Sequence, residues 1–388
     1  MRGILNFWGC AHPQKFRETT RTPTTPWTYA CRKARSRPTP ERDRTAAPYD
    51  DTCSEEVQVS DRIGYVVPVD RVTPREAVDL AVLAERAGFR GTMAADLFQP
   101  WLPSLGQAPA VWAVLAALAE HTTYDFGPGM AVPGARMHPA AIAQHAATLA
   151  SLHPGRHWVS LAAGEALHEH VTGGYWPEPP ERIDRLFEAV DLMKRLFVGS
   201  LAGRDVRFAG ETFTLESSRL WTMPERAPSV LVATGGPVTA RRAGRTADGL
   251  LAVGVSYEQA AVVLERFAAG AAEAGKDPES MPRWLHLNLS WAATDDEALA
   301  QAASLYPLAA MRFARGDLRS PQMIEQMARL VRPEDLAGRI PISADPAVHA
   351  AEIRRHLALG YDRVFVHNVG LNQAAFLDVF AREVLPGL

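Results

Sequence analysis

The sequence predicts an α/β protein, a (β/α)8 TIM barrel with insertions, preceded by a disordered N-terminal tail. Three observations carry this. Short apolar runs of strand length alternate with helical stretches about eight times over about 330 residues, the repeat of a closed parallel barrel. Helix-start signals follow the runs, among them Thr73-Pro74-Arg75-Glu76, Ser256 with Gln259, and Thr294 with Glu297. Composition changes near residue 59, where a Pro-, Thr- and Arg-rich stretch gives way to aliphatic periodicity.

Residues 1–59 form the tail. Segments such as Arg21-Thr22-Pro23-Thr24-Thr25-Pro26 and Arg35-Ser36-Arg37-Pro38-Thr39-Pro40 bury too little apolar surface to offset the entropy of ordering. Residues 60–388 read as one domain. Its first strand is Ile63–Val67, and the helix that starts at Thr73 stops at Gly88. Strand two, Gly91–Ala95, is followed by a helix over Ala108–Glu120, and strand three, Tyr124–Met130, by a helix over Pro139–His153. Strand four, His157–Ala162, has its helix delayed to Glu181–Phe197, and Asp205–Trp221 alternates as a hairpin insertion. Strand five is Ser229–Ala233 with a helix over Pro237–Arg245. Strand six, Gly249–Val253, leads to a helix from Ser256 to about Ala274. Strand seven is Leu285–Trp291, and a polar helix-rich insertion fills Leu305–Asp335. Strand eight begins at Arg363–Phe365, with a last helix over Asn372–Val384. A doubly wound open sheet is the alternative. It requires a Gly-rich loop after strand one, and Val67-Pro68-Val69-Asp70 is not one.

The bulk numbers set bounds on function. The 388 residues are 47% hydrophobic and 22% charged, with a net charge of −3, which suits a globular chain with a sizeable core. No basic stripe points to nucleic acid, no run is long enough to span a membrane, and Met1–Cys10 lacks a secretory h-region. All three cysteines (Cys10, Cys31, Cys53) fall in the tail, so the body holds neither a disulfide nor a thiolate metal site, and a cytoplasmic setting is expected. No His-x-x-x-His pair with a third ligand suggests a metal.

Two segments point to a site, Ala95-Asp96-Leu97-Phe98-Gln99-Pro100-Trp101 and Gly164-Glu165-Ala166-Leu167-His168-Glu169. Each places a carboxylate just past a strand. Parallel α/β folds bind ligands outside the carboxyl ends of their strands, so Asp96 and Glu165 are candidates for one active site. The other reading is that both are acids at helix starts.

The assembled segments resemble the luciferase-like monooxygenase superfamily, in particular the branch of F420-dependent glucose-6-phosphate dehydrogenases. The resemblance spans about Gly64 to Leu385. It rests on Phe98-Gln99-Pro100-Trp101, His138-Pro139-Ala140-Ala141-Ile142-Ala143-Gln144, Gly164-Glu165-Ala166-Leu167, Gly235-Gly236-Pro237 and Ala243-Gly244-Arg245-Thr246-Ala247-Asp248-Gly249. It implies a luciferase-like TIM-barrel oxidoreductase that moves hydride between the deazaflavin coenzyme F420 and a small-molecule substrate, as a homodimer. Glu165, Asp96 and Trp101 would be the catalytic group, with Glu165 handling a proton, Asp96 lining the ring and Trp101 walling the pocket. Gly129 and Met130 would back the ring across a non-proline cis peptide. Ala163, Gly164, His168, Gly235 and Gly236 would complete the cofactor site, the glycine pair lying before a helix N-terminus that favours an anionic tail. Asp70, Arg315, Arg339 and His367 would meet the substrate.

Three positions depart from the family. Its catalytic His after strand two is Leu97, its phosphate-contacting Lys after strand six is Ser256, and its usual Asn after the strand-four Glu is His168. Without that His, hydride delivery from reduced coenzyme to an enone, imine or carbonyl is the expected direction. An FMN-dependent monooxygenase and a non-catalytic cofactor binder are the alternatives.

Overall fold

The structure is a computed structural model and describes residues 59–311 and 315–388. The tail expected over residues 1–59 lies outside the described residues, apart from Val59, which opens a 3-10 turn, Val59–Arg62. Ten strands follow. β1 is Ile63–Val67, β2 Gly91–Ala94, β3 Asp125–Pro128 and β4 Val159–Leu161. β5 (Val206–Ala209) and β6 (Thr214–Ser218) form the antiparallel hairpin expected in that stretch. β7 is Val230–Thr234, β8 Gly249–Ala252, β9 Arg283–Leu289 and β10 Arg363–Asn368.

Eight strands make one parallel sheet in the order β3-β2-β1-β10-β9-β8-β7-β4. Its two ends meet through isolated bridges at Phe126↔His157 and Ala131↔Leu161, so the sheet is nearly closed. Strands three and four are shorter than the sequence suggests. Pro128 has no N–H to offer a ladder, and the Gly129 N–H turns back to Ala94 O at 2.7 Å.

The helices wrap the outside. α1 is Pro74–Arg86, α2 Val111–Ala119, α3 Pro139–Leu152, α4 Ala166–Glu169 and α5 Pro179–Leu201. α6 is Pro237–Thr246, α7 Tyr257–Glu273 and α8 Asp295–Leu305. α9 is Pro321–Ala328, α10 Pro346–Ala358 and α11 Gln373–Val379. The capping boxes at Thr73 and Ser256 form as the sequence indicates, and Thr294 accepts from the Glu297 N–H. α5 starts two residues before the expected Glu181, because Pro179 and Pro180 suit a first turn that needs no N–H. The last helix passes into a π turn at Phe380–Val384. Among the described residues no helix is long and apolar enough to cross a membrane.

The barrel interior is filled rather than hollow. Trp158, Trp284 and Phe365 pack together, the two indoles edge to face at 4.8 Å between centroids. Glycines face this cluster where nothing larger fits. A Cβ on Gly64 would lie 2.3 Å from the Phe365 ring, and one on Gly127 2.4 Å from Trp158 O. With the bore plugged, any ligand must bind at the mouth, where the strand ends and loops diverge.

Two buried histidines tie stability to pH. His157 packs on Phe126 with centroids 4.9 Å apart, and both of its ring nitrogens are buried. Burial lowers its pKa to about 3. The pKa of His168 is also about 3, lowered by burial and then by Arg136 and His170. The unfolded chain binds these protons near pH 6.5 and the native chain only near 3, so between those values the unfolded state holds more protons. Unfolding free energy should therefore fall as pH drops from about 6.5, by up to about 1.4 kcal/mol per pH unit for each histidine. Urea unfolding between pH 7 and 4 measures this slope, and His157→Phe should make it shallower by one histidine's share.

Candidate active site

A cavity of about 390 Å³ opens at the carboxyl ends of the strands. Every barrel strand, or the loop that follows it, contributes to it. β1 runs into Asp70 and Arg71, β2 into Leu97 and Trp101, β3 into Met130 and β4 into Glu165. Gly235 follows β7 and Gly254 follows β8, while β9 brings His286 and Asn288 and β10 brings His367. Tyr306 and Leu308, from the insertion after α8, complete the wall.

Of the two acids expected past strand ends, Glu165 faces this space. It occupies the N-cap position of the four-residue α4, but its side chain makes no capping bond, so a helix-start role does not account for it. Its carboxylate is about one-third exposed (32%) and lies 4.0 Å from His168 Nε2. His168 stands behind the wall, buried, with its ring edge-on to Trp101 at 5.3 Å. Burial keeps it neutral. It braces the indole and offers no charge to Glu165.

Asp96 differs from expectation. It lies beneath the rim rather than on it, and Arg136 takes both of its oxygens at 3.0 and 2.8 Å. The same guanidinium reaches Glu169 Oε1 through Nε at 3.0 Å. One arginine thus joins the loops after β2, β3 and β4. The sequence reading missed Arg136 and Glu169. Arg136 sits in an unremarkable Gly-Ala-Arg turn before α3, and nothing local marks its partners, which are 40 and 33 residues away. Burial pushes the Glu169 carboxyl up, and Arg136 beside it pulls it back.

Of the backbone positions that the resemblance implies, Met130 and Gly235 line the cavity. Met130 lines the cavity, and the carbonyl before it, on Gly129, accepts from Ser160 Oγ at 2.6 Å. Gly164 adopts φ +87°, and a Cβ there would strike Val132 at 2.5 Å, so this turn requires glycine. Ala163, just before it, offers its carbonyl to Arg185 at 3.5 Å. A Cβ on Gly235 would lie 2.7 Å from Val253 O. Gly236 caps α6, and its N–H donates to Thr234 Oγ1 at 3.0 Å.

The expected substrate residues separate. Asp70 is buried and paired with Arg71 through two bonds of 2.8 and 3.0 Å, and Arg71 also holds Val369 O. His367 lines the cavity, with Nδ1 on Asn288 Oδ1 at 2.8 Å. Arg339 belongs to a second cavity of about 440 Å³ that shares His286, Asn288, Tyr306 and Leu308 with the first and includes Ser256. Arg315 begins the 3-10 turn Arg315–Asp317, and its side chain lies outside the described residues. His286 and Asn288 were not anticipated, because a polar residue within a strand run reads as ordinary alternation until the barrel shows which end it occupies, and Tyr306 lies in the insertion after α8, which carries no periodic signal.

Comparison with known proteins follows the same geometry. The sequence profile of the luciferase-like monooxygenases matches residues 58–363. The F420-dependent glucose-6-phosphate dehydrogenase of Rhodococcus erythropolis is 34% identical over 332 residues, covering 84% of this chain and 97% of that protein. The enzyme of the same name from Mycolicibacterium smegmatis is 33% identical, covering 84% and 98%. A solved F420-dependent secondary alcohol dehydrogenase, in complex with an F420-acetone adduct, superposes with a TM-score of 0.79 at 28% identity, covering 84% of this chain and 98% of that one.

Arg136 should be the most sensitive position of the rim. Arg136→Met strands two buried carboxylates and should lower unfolding free energy by about 3–5 kcal/mol. Arg136→Lys should recover only part of this, because an ammonium cannot hold a carboxylate by two parallel bonds. Denaturant unfolding of both variants measures the difference.

Proposed function

The chain belongs to the luciferase-like monooxygenase family, and from that premise we propose an F420-dependent oxidoreductase that exchanges hydride between the deazaflavin and a small organic substrate. The observation that carries this reading is the single cavity in which Glu165, Trp101, Met130 and Gly235 meet.

The residues fit a flat cofactor with an anionic tail. The cavity has the volume of a small-molecule site. Gly235 lies so close to Val253 O that a Cβ would come within 2.7 Å of it, so the chain turns tightly at this edge of the cavity. Just beyond it, the first N–H groups of α6 lack intrahelical partners and suit a phosphate. Met130 and Trp101 supply apolar surface.

When bound there, the coenzyme supplies a ring carbon that accepts or gives up hydride. The chain's own side chains do the rest. Glu165 holds or releases a proton at its carboxylate. Trp101, braced by His168, excludes water from one side. Leu97 is apolar and buried, so at this position after β2 there is no proton acceptor. That rim by itself supports reduction of a carbonyl, imine or enone, with Glu165 returning the proton. Arg71 and Arg339 give the substrate's polar or anionic end two places to bind.

Fluorescence titration should show tight binding of oxidised F420 and none of FMN, and FMN binding in its place would overturn the reading. Gly235→Ala should weaken F420 binding about tenfold or more, since the added methyl meets backbone that must move. Glu165→Gln should leave affinity intact and lower turnover about 100-fold, read as F420 absorbance change with carbonyl acceptors or alcohol donors.

A further inference from the structure

Two cavities meet at the mouth, of about 390 and 440 Å³. Six residues line both of them: Gly254, Gln259, His286, Asn288, Tyr306 and Leu308. These six form the partition between the two spaces. A drug-sized ligand takes a site of about 300–1,000 Å³, so a fused three-ring heterocycle occupies most of the first cavity. A group attached to the reacting carbon then has to pass the partition to reach the second.

The barrel and the insertion supply this partition in different ways. Four members belong to the barrel frame. Gly254 turns the chain after β8 at φ +64°, and His286 and Asn288 are set by the register of β9 against β10. Gln259 commits its amide oxygen to the Ser256 N–H, at 3.1 Å, in the cap of α7. Tyr306 and Leu308 come instead from the insertion after α8, and their backbone is pinned. Tyr306 ends α8 with its N–H on Ala302 O at 3.0 Å, and its carbonyl accepts from the Ala309 N–H at 3.2 Å. Pro307 has a fixed φ of its own and narrows the choices of the residue before it. The Tyr306 ring stands edge-on to His367 with centroids 6.2 Å apart. It packs against two apolar clusters, one holding Leu102, Leu167 and Leu308, the other Leu336 and Val369. Leu308 is buried in the first of these. A ring held in this way is a fixed wall.

Resting on the F420-dependent reading, we propose that Tyr306, backed by Leu308, is the specificity-determining residue of this mouth, its ring setting how large a group the substrate carries past the reacting carbon. Substrates are then sorted by reach and width rather than by the reacting group. The wall belongs to an insertion, so the substrate can change while the strands and the coenzyme site stay as they are. Size selection by an apolar wall amounts to about 10–200-fold.

Two methyl ketones with the same reacting group test this on the full chain. Acetone fits beside the ring, whereas 4-(4-hydroxyphenyl)-2-butanone has to extend across the partition. With reduced F420, the ratio of kcat/KM for the long ketone over the short one should rise about tenfold in Tyr306→Ala and fall about tenfold in Tyr306→Trp. The coenzyme is common to both reactions, so a change in its affinity cancels from the ratio. A ratio that keeps its wild-type value in both variants, or moves the same way in both, overturns the proposal. Oxidised F420 cannot reduce a ketone, so saturation-transfer NMR on that complex reads binding alone. There Tyr306→Trp should weaken the long ketone about tenfold and acetone less, and equal weakening overturns the proposal. Should Tyr306→Ala fail to fold, Leu308→Ala opens the same partition and should raise the ratio in its place. A wild type that binds F420 but neither binds nor reduces either ketone also overturns the proposal. A wild type that does not bind F420 overturns the earlier reading, and the coenzyme titration alone shows which of the two has failed.

Discussion

The rim of this barrel is organised by one largely enclosed cation. Arg136 holds Asp96 with two bonds and Glu169 with a third, and those acids flank the segments that carry Leu97, Trp101 and Glu165. Loops are ordinarily the mobile part of a barrel. Here three successive ones share a partner in a place where an unpaired charge is costly. The position of Glu165 in the cavity thus follows from a contact that Glu165 does not itself make. His168 extends the same logic, because its neutral buried ring sets the angle of Trp101.

Below the rim, packing decides where chemistry can occur. The Trp158–Trp284–Phe365 cluster seals the bore, and Gly64 and Gly127 are the positions that yield space to it. What remains is a shallow mouth lined by strand ends, continuous with a second, more polar cavity toward Arg339. A flat heterocycle at the first and a polar substrate arm at the second is the division of space that these two volumes suit.

Polar side chains are spread around this mouth rather than gathered after β2. Leucine at position 97 makes that part of the wall apolar, whereas β9 and β10 place two imidazoles and an amide side by side. Parallel register is what aligns them: His367 opposite Asn288, with His286 one pleat below. A catalytic function can move between strands of such a barrel because every strand ends at the same rim.

The alternation of strand and helix, the caps at Thr73, Ser256 and Thr294, and the hairpin after α5 were legible in the sequence, because periodicity and capping act over a few residues. So was Glu165 as a carboxylate just past a strand end, while Trp101, Met130 and Gly235 came from the resemblance to the family. Strand limits near Pro128 were not, since they depend on the partner across the closing seam. Asp96 shows the boundary best: its address past β2 is written locally, while its engagement by Arg136 depends on a side chain 40 residues on. The His286–His367–Asn288 grouping is of the same kind, joining residues 79 positions apart. The sequence by itself determined the barrel, the family and the rim. Only the tertiary structure decided which rim residues face the cavity and which are held behind it, because burial and ion pairing are fixed by neighbours that the chain brings together only when it closes.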